Sequence, residues 1–290
     1  MFNFFRNLRH NKLLRNFVFW NFLGSMYRFL INYIPINFSI KQFITINHQF
    51  YLHSRFAFSD FKSWGNKHNN FFYLYSLLSK KAECFFDVGA HIGIVSLPIS
   101  KSLKNNGLIY AFEASPKNLF YLNFHVKKNR IKNIKIVNKA VSSKHKSFLD
   151  FYESDEPTGM NSIISLKNKR INIKRKVESI TLDGFCRENN LKPDIIKVDI
   201  EGAEIDLLKG SIKIIKKHKP IFFLSYHPYH IRRIGYGYNE IFKFLKSVNY
   251  VVLNAEFKKP QSLKNGEYLL VDKKFDIKEL KNDISKNHKF

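Results

Sequence analysis

Two groups of residues in this 290-residue chain could do chemistry together. The first is the turn Asp87-Val88-Gly89-Ala90-His91-Ile92-Gly93, which follows the apolar run Cys84 to Val88. Such a run suits a buried parallel strand, and the glycines let the backbone turn tightly and approach a ligand. Glu113 ends a second apolar run, Leu108 to Phe112, twenty residues after Gly93. An acidic residue at the tip of a second strand is placed to accept both hydroxyls of a ribose. The second group is Lys197-Val198-Asp199-Ile200-Glu201-Gly202-Ala203-Glu204. Strand alternation puts Lys197, Asp199 and Glu201 on one side, with Ile196, Val198 and Ile200 packed on the other. Carboxylates gathered there are costly unless they meet a cation, a hydroxyl or a metal. His227 follows the apolar run from Ile221 and precedes Pro228, so it falls at the same sheet edge. A neutral imidazole there could take a proton from a hydroxyl, although a structural histidine fits the position equally well.

The glycine spacing narrows the cofactor. A dinucleotide fingerprint needs Gly-x-Gly-x-x-Gly so that a diphosphate can sit on the next helix N-terminus. Here Gly89 and Gly93 are separated by three residues, and Asp87 stands two before the first glycine. A carboxylate in that turn repels a diphosphate and suits a cationic ligand. S-adenosylmethionine, with a sulfonium, an ammonium and no phosphate, meets this requirement. Asp87 could alternatively only cap the helix expected near His91. A third polar position, Asn138-Lys139-Ala140-Val141-Ser142, follows the third strand. Asn138 could bond an adenine edge and Ala140 leaves room for its ring, but asparagine is also a common turn residue.

These residues need a scaffold that brings strand ends together. From about residue 70 the pattern alternates strand and helix. A helix at Phe72–Lys80 leads into strands at 84–88, 108–113, 134–138, 194–199 and 221–226, with the last two at 250–253 and 268–271. Ser115-Pro116 opens a helix with a capping serine and a first-turn proline, and Thr181 caps another. Residues 147–180 break the alternation with extended segments at 148–152, 162–165 and 173–177 around a loop at 156–159. The whole reads as an α/β protein, a doubly wound, mostly parallel sheet with helices on both faces. Ligands bind such sheets at the carboxyl ends of the strands.

Residues 1–60 differ, being rich in Phe, Asn and Arg, and read as a basic, aromatic helical extension. Residues 61–275 form the catalytic domain and 276–290 a basic tail. Arg6, Arg9, Lys12 and Arg15 precede the apolar stretch from Phe17 to Ile31, which Asn21, Ser25 and Arg28 interrupt. That makes a poor transmembrane span. It fits either a helix lying on an anionic membrane or one packed on the domain. Forty-nine Lys and Arg against twenty-three Asp and Glu give a net charge of +26. This charge implies attraction to anionic surfaces, or only a compositional bias shared with the abundant Lys, Asn, Ile and Phe. Cys84 and Cys186, the only cysteines, cannot build a disulfide framework or a zinc site. They point to the cytoplasm, with peripheral attachment at the inner face of the membrane as an option. No cleavable signal peptide is evident.

Phe86-Asp87-Val88-Gly89-Ala90-His91-Ile92-Gly93, Phe112-Glu113-Ala114-Ser115-Pro116, Asn138 to Ser142, Thr181-Leu182-Asp183 and Ile196 to Glu204 resemble, in order and spacing, the FkbM-type family of S-adenosylmethionine-dependent O-methyltransferases. The resemblance covers about residues 83–253. It implies a seven-strand Rossmann-like class I methyltransferase fold and acceptors that are often hydroxyls of sugars or polyketides. It departs at His91, where the family often has Asn, and at Ser225, where it often has Glu. Asp87, Gly89, Ala90, His91, Gly93, Glu113, Ala114, Ser115, Asn138 and Ala140 are expected to hold S-adenosylmethionine. Asp199, Glu201 and His227 are expected around the acceptor, a glycan or glycolipid hydroxyl. Two carboxylates do not complete a metal site, and no metal is expected. A nucleic-acid methyltransferase is the enzymatic rival. The residues after the fourth strand, Asp199-Ile200-Glu201-Gly202, lack the Pro-Pro-aromatic block of amino-methylating enzymes, and no RNA-binding module is apparent. The non-enzymatic rival is a membrane-surface scaffold on a degenerate Rossmann domain, against which the intact Asp87, Gly89, Gly93 and Glu113 speak.

Overall fold

A computed structural model describes residues 38–287 apart from 46–47, 65–70, 155–160, 162–170 and 238, together with Phe22 and Met26. Its elements run β1 (Ser39–Ile44), β2 (His48–His53), α1 (Phe72–Ser79), β3 (Cys84–Val88), α2 (Ser96–Ile99), β4 (Leu108–Phe112), α3 (Pro116–Lys128), β5 (Ile134–Val137), β6 (Ala140–Val141), β7 (Ser147–Ser154) and β8 (Ile171–Ile180). They continue α4 (Leu182–Asn189), β9 (Ile195–Val198), α5 (Glu204–Lys209), α6 (Ile212–His218), β10 (Ile221–Tyr226), α7 (Pro228–Arg233), α8 (Glu240–Ser247), β11 (Tyr250–Leu253), β12 (Gly266–Asp272) and α9 (Ile277–Asn287).

Seven strands form the central sheet in the order β11-β12-β10-β9-β3-β4-β5. β3, β4, β5, β9 and β10 pair in parallel, and β12 inserts antiparallel between β10 and β11. The apolar runs work because each strand is buried on both faces. Phe85, Ile195, Phe223 and Leu269 enter one core with α1 and α3, while their neighbours Phe86, Ile196, Phe222 and Leu270 enter a second core with α4, α5, α6 and α8. β3 is flanked by β9 and β4, so the chain winds outward from β3 in one direction and from β9 in the other. That reversal opens a crevice at their carboxyl ends. The expected doubly wound α/β sheet is therefore present.

One local expectation changes, and two others become more definite. Residues 39–44 and 48–53 form two antiparallel strands, not part of a helix. Their alternation explains it: Gln42, Ile44, Phe50 and Leu52 are buried while Tyr51 is exposed. The strand pair docks on α3, where His53 N donates to His125 Nε2 at 2.9 Å and Asn129 exchanges two 2.8 Å bonds with the Tyr51 backbone. The tail is the helix α9, seated through Leu280 and through Lys81, which pairs with Glu279 and Asp283. The expected extended segments are β7 and β8, which with β6 make a separate three-stranded sheet in the order β6-β8-β7. Residues 1–21 and 27–37, with most of the basic aromatic segment, and residues 162–165 lie outside the described residues. Among those described, no helix is long and apolar enough to cross a membrane.

Candidate active site

The turn after β3 is built on positive backbone angles at Gly89 (φ 78°), His91 (52°) and Gly93 (93°). Gly89 N and Ala90 N both donate to Phe112 O at 3.0 Å, which fastens the turn to the end of β4. A Cβ on Gly89 would come within 1.9 Å of Asp199 O. The backbones after β3 and β9 thus touch where the crevice begins. Gly89→Ala should destabilise the protein by about 2–4 kcal/mol, from left-handed strain plus overpacking. Thermal unfolding measures it, and a melting temperature equal to that of the parent would refute the close approach.

A cleft opens above this turn. Gly89, Ala90, His91, Glu113, Ala114 and Ala140 line it, and so does Asp199. Glu113 is placed by two backbone amides: His91 N donates to Oε2 at 2.7 Å and Ser115 N to Oε1 at 2.8 Å. Burial lifts its carboxyl to about 7, against the pull of those amides. The Asn118 side chain and the Ala114 amide pull on it as well. The His91 ring is held neutral, pushed down to about 3 by burial and by the positive charge of Lys197. Its Nε2 is buried and has no hydrogen-bond partner among the described residues. An orphaned polar atom in a cleft wall is what a polar ligand would satisfy.

Four expected contacts fall elsewhere. Asp87 does not line the cleft. It is fully buried, with Oδ2 accepting from Ser96 Oγ at 2.5 Å and Oδ1 3.3 Å from Lys197 Nζ. Register explains the pairing, because Asp87 and Lys197 are direct neighbours on β3 and β9. Lys197 Nζ also donates to Gly89 O at 3.0 Å, so this ion pair holds the turn rather than the cofactor's cationic end. Gly93 packs under Leu122 of α3. Ser115 is buried and caps α3 through Asn118 N, and its Oγ donates to Glu153 Oε2 at 2.7 Å. Asn138 is exposed, one residue beyond β5, and its neighbours Lys139 and Ala140 line the cleft instead. Trp64, Phe151 and Asn161 complete the wall without having been anticipated. The alternation in 147–152 carries a signal for Phe151. For Trp64 and Asn161 the sequence carries none.

Asp199, Glu201 and His227 do come together. His227 Nε2 lies 3.8 Å from Asp199 Oδ1 and 3.7 Å from Glu201 Oε1. The other ring nitrogen, Nδ1, is 2.6 Å from Glu204 Oε1. Glu204, which sequence reasoning gave no role, is fully buried at the start of α5, and its Oε1 also accepts from Gly202 N at 3.0 Å. Glu201 adopts φ 50°, and Oε2 of its side chain lies 3.0 Å from His230 Nδ1. The expected neutral imidazole is corrected here. Burial opposes charge on His227, but the bond to Glu204 and the nearby Glu201 and Asp199 carboxylates outweigh it and lift the ring to about 9. Burial lifts Glu201 to about 7, with His227 pulling it down and Asp199 and Glu204 pushing it up. At neutral pH the cluster therefore holds an imidazolium beside a carboxylate poised to exchange a proton. One ligand-capable atom each from Asp199, Glu201 and His227 lie within 4.8 Å of one another. They could hold a divalent cation only after His227 gives up its proton. Cys84 and Cys186 are both pushed up to about 12 by burial, so neither is a thiolate nucleophile at neutral pH.

The sequence pattern of the methyltransferase FkbM domain family matches residues 87–252, more than half of the chain. No curated protein sequence matches. A solved FkbM methyltransferase from Methylobacillus flagellatus is similar at 15% identity and TM-score 0.42, covering 75% of this chain and 54% of that one. The chain thus spans about half the length of that protein. An O-methyltransferase from Bacillus cereus in complex with SAH is similar at 11% identity and TM-score 0.42, covering 72% and 84%. TYW2 of M. jannaschii in complex with AdoMet is similar at 14% identity and TM-score 0.39, covering 81% and 84%. The family's methyl donor is S-adenosylmethionine, and the orphaned His91 Nε2 in the cleft wall fits a polar ligand of that kind.

Proposed function

The chain belongs to the methyltransferase FkbM family, and from that premise we propose that it is an O-methyltransferase acting on a sugar hydroxyl of a glycan or glycolipid. The observation that carries this reading is the Asp199–Glu201–His227 cluster at the edge of the donor cleft, with Asp199 on the wall of both. When bound, S-adenosylmethionine supplies an electrophilic methyl group on a sulfonium. Glu113 and His91 bind the donor, and the turn anchored by Lys197 and Asp87 fixes their positions. A sugar hydroxyl is a weak acid, so the step needs a group that takes its proton as the oxygen becomes an ether. Glu201 is that group, and Asp199 orients the hydroxyl by accepting a hydrogen bond. The His227 imidazolium, locked by Glu204, keeps both carboxylates from repelling each other and from being held protonated. The products are the methyl ether, S-adenosylhomocysteine and a proton that leaves through Glu201.

Donor binding tests the premise. Glu113→Ala should weaken S-adenosylmethionine binding by about 1–3 kcal/mol, the cost of losing charge-assisted hydrogen bonds. Titration calorimetry reads this directly. Unchanged affinity would remove Glu113 from the site, and a parent protein that binds no S-adenosylmethionine would leave the scaffold reading standing. Labelled donor incubated with candidate glycans and with RNA would then separate a sugar acceptor from a nucleic acid.

A further inference from the structure

We propose that the acceptor sugar carries an anionic group, a carboxylate or a phosphate, which Arg233 reads while the sugar ring lies on Tyr229. This rests on the sugar-hydroxyl reading above and adds its substrate class. The proton-accepting cluster does not end at Glu201. His230 Nδ1 lies 3.0 Å from Glu201 Oε2, and the His227 and His230 rings stack at 5.9 Å between centroids and 18° between planes. Tyr229 continues the row, its ring 5.6 Å from His230, and the Arg233 guanidinium stands 5.9 Å over the Tyr229 ring. A contiguous shelf of two imidazoles, a phenol ring and a guanidinium therefore runs from the carboxylate that takes the proton out to the surface along α7.

Its outer half is built for contact. Tyr229 is 61% exposed, a large aromatic surface beside the reacting groups. An aromatic face with a polar tip offers an apolar platform to the C–H face of a sugar and a hydroxyl to its edge. Arg233 is exposed, and among the described residues no carboxylate pairs with it. The carboxylates of Asp199 and Glu201 lie inward, where a second anion would be repelled. A guanidinium placed one ring further out gives an anionic acceptor a single favourable orientation, with its charge on Arg233 and its hydroxyl at Glu201. The planar fork of arginine fits carboxylate and phosphate alike.

The test uses the full-length protein saturated with S-adenosylhomocysteine and titrated calorimetrically with p-nitrophenyl glucuronide, glucose 6-phosphate and the neutral p-nitrophenyl glucoside. At least one of the two anionic sugars should bind about tenfold tighter than the glucoside, the gain of one charge-assisted pair, and the stronger of them identifies the anionic group. Arg233→Gln should erase that preference, and Tyr229→Ala should weaken all three sugars alike, with S-adenosylhomocysteine affinity unchanged in both. Equal affinity for charged and neutral sugars, no sugar binding by the loaded protein, a preference that survives Arg233→Gln, or tighter binding of an oligonucleotide than of any sugar would overturn the proposal. Failure to bind S-adenosylhomocysteine would instead remove the methyltransferase premise, and this inference with it.

Discussion

Glu201→Gln should lower kcat by roughly 10²–10⁴-fold with S-adenosylmethionine affinity nearly unchanged, the usual cost of removing a general base. The substitution keeps the shape of the side chain and removes its charge, so packing is not what it tests. Glu201 stands out among the nearby carboxylates because burial places its carboxyl at about 7, where it is ionised often enough to act and basic enough to hold a proton. In the parent, the rate should rise as pH passes through about 7, when Glu201 loses its proton, and fall again through about 9, when His227 loses its charge. The two limbs belong to the coupled cluster rather than to single residues. In Glu201→Gln the acid limb should vanish. Full activity of this variant on a verified acceptor, or a parent profile without an acid limb near neutrality, would exclude Glu201 as the base. Activity that needs an added divalent metal and is lost with chelator would instead make Asp199, Glu201 and His227 ligands.

Much of this site is visible in the chain because strand ends in a parallel sheet are one-dimensional features. The apolar runs ending at Val88, Phe112, Val198 and Tyr226 predict the strands within one or two residues, and the polar residues that follow must meet at one edge. What sequence order does not carry is which neighbour a side chain chooses across the sheet. Asp87 looks like a ligand for a cation, and it does face one, but the cation is Lys197 on the adjacent strand. Asn138 follows a strand as expected, yet the chain turns into β6 so that Ala140, not Asn138, faces the cleft. The strand pair at 39–44 and 48–53 is legible in retrospect from its alternation, which the surrounding aromatic and basic residues obscure. Sequence order brings His227 to the sheet edge but says nothing of its charge, because its protonation depends on Glu204, twenty-three residues away.

Glu204→Gln isolates that dependence. A glutamine can still accept from Gly202 N and His227 Nδ1, so the ring stays in place, but it no longer supplies the negative charge that holds the proton on it. His227 should then fall from about 9 toward its ordinary value near 6.5. At pH 8 a ring titrating at ~6.5 is only a few per cent charged, so the variant should run about 30-fold slower there if the imidazolium is the active form. Below the acid limb the two proteins should converge, and the alkaline limb of the variant should move down by roughly two and a half pH units. A merely structural role for Glu204 predicts equal loss at every pH with both limbs in place. Stability follows the same linkage. A histidine whose folded value is raised adds stability that is complete below its unfolded value and is lost as pH rises through the folded one. The stability gap between parent and Glu204→Gln should therefore be widest below about pH 6.5 and should close toward pH 9. A gap that widens toward alkaline pH would mean that the ring is neutral in the folded protein, and the cluster would have to use His227 as a base after all.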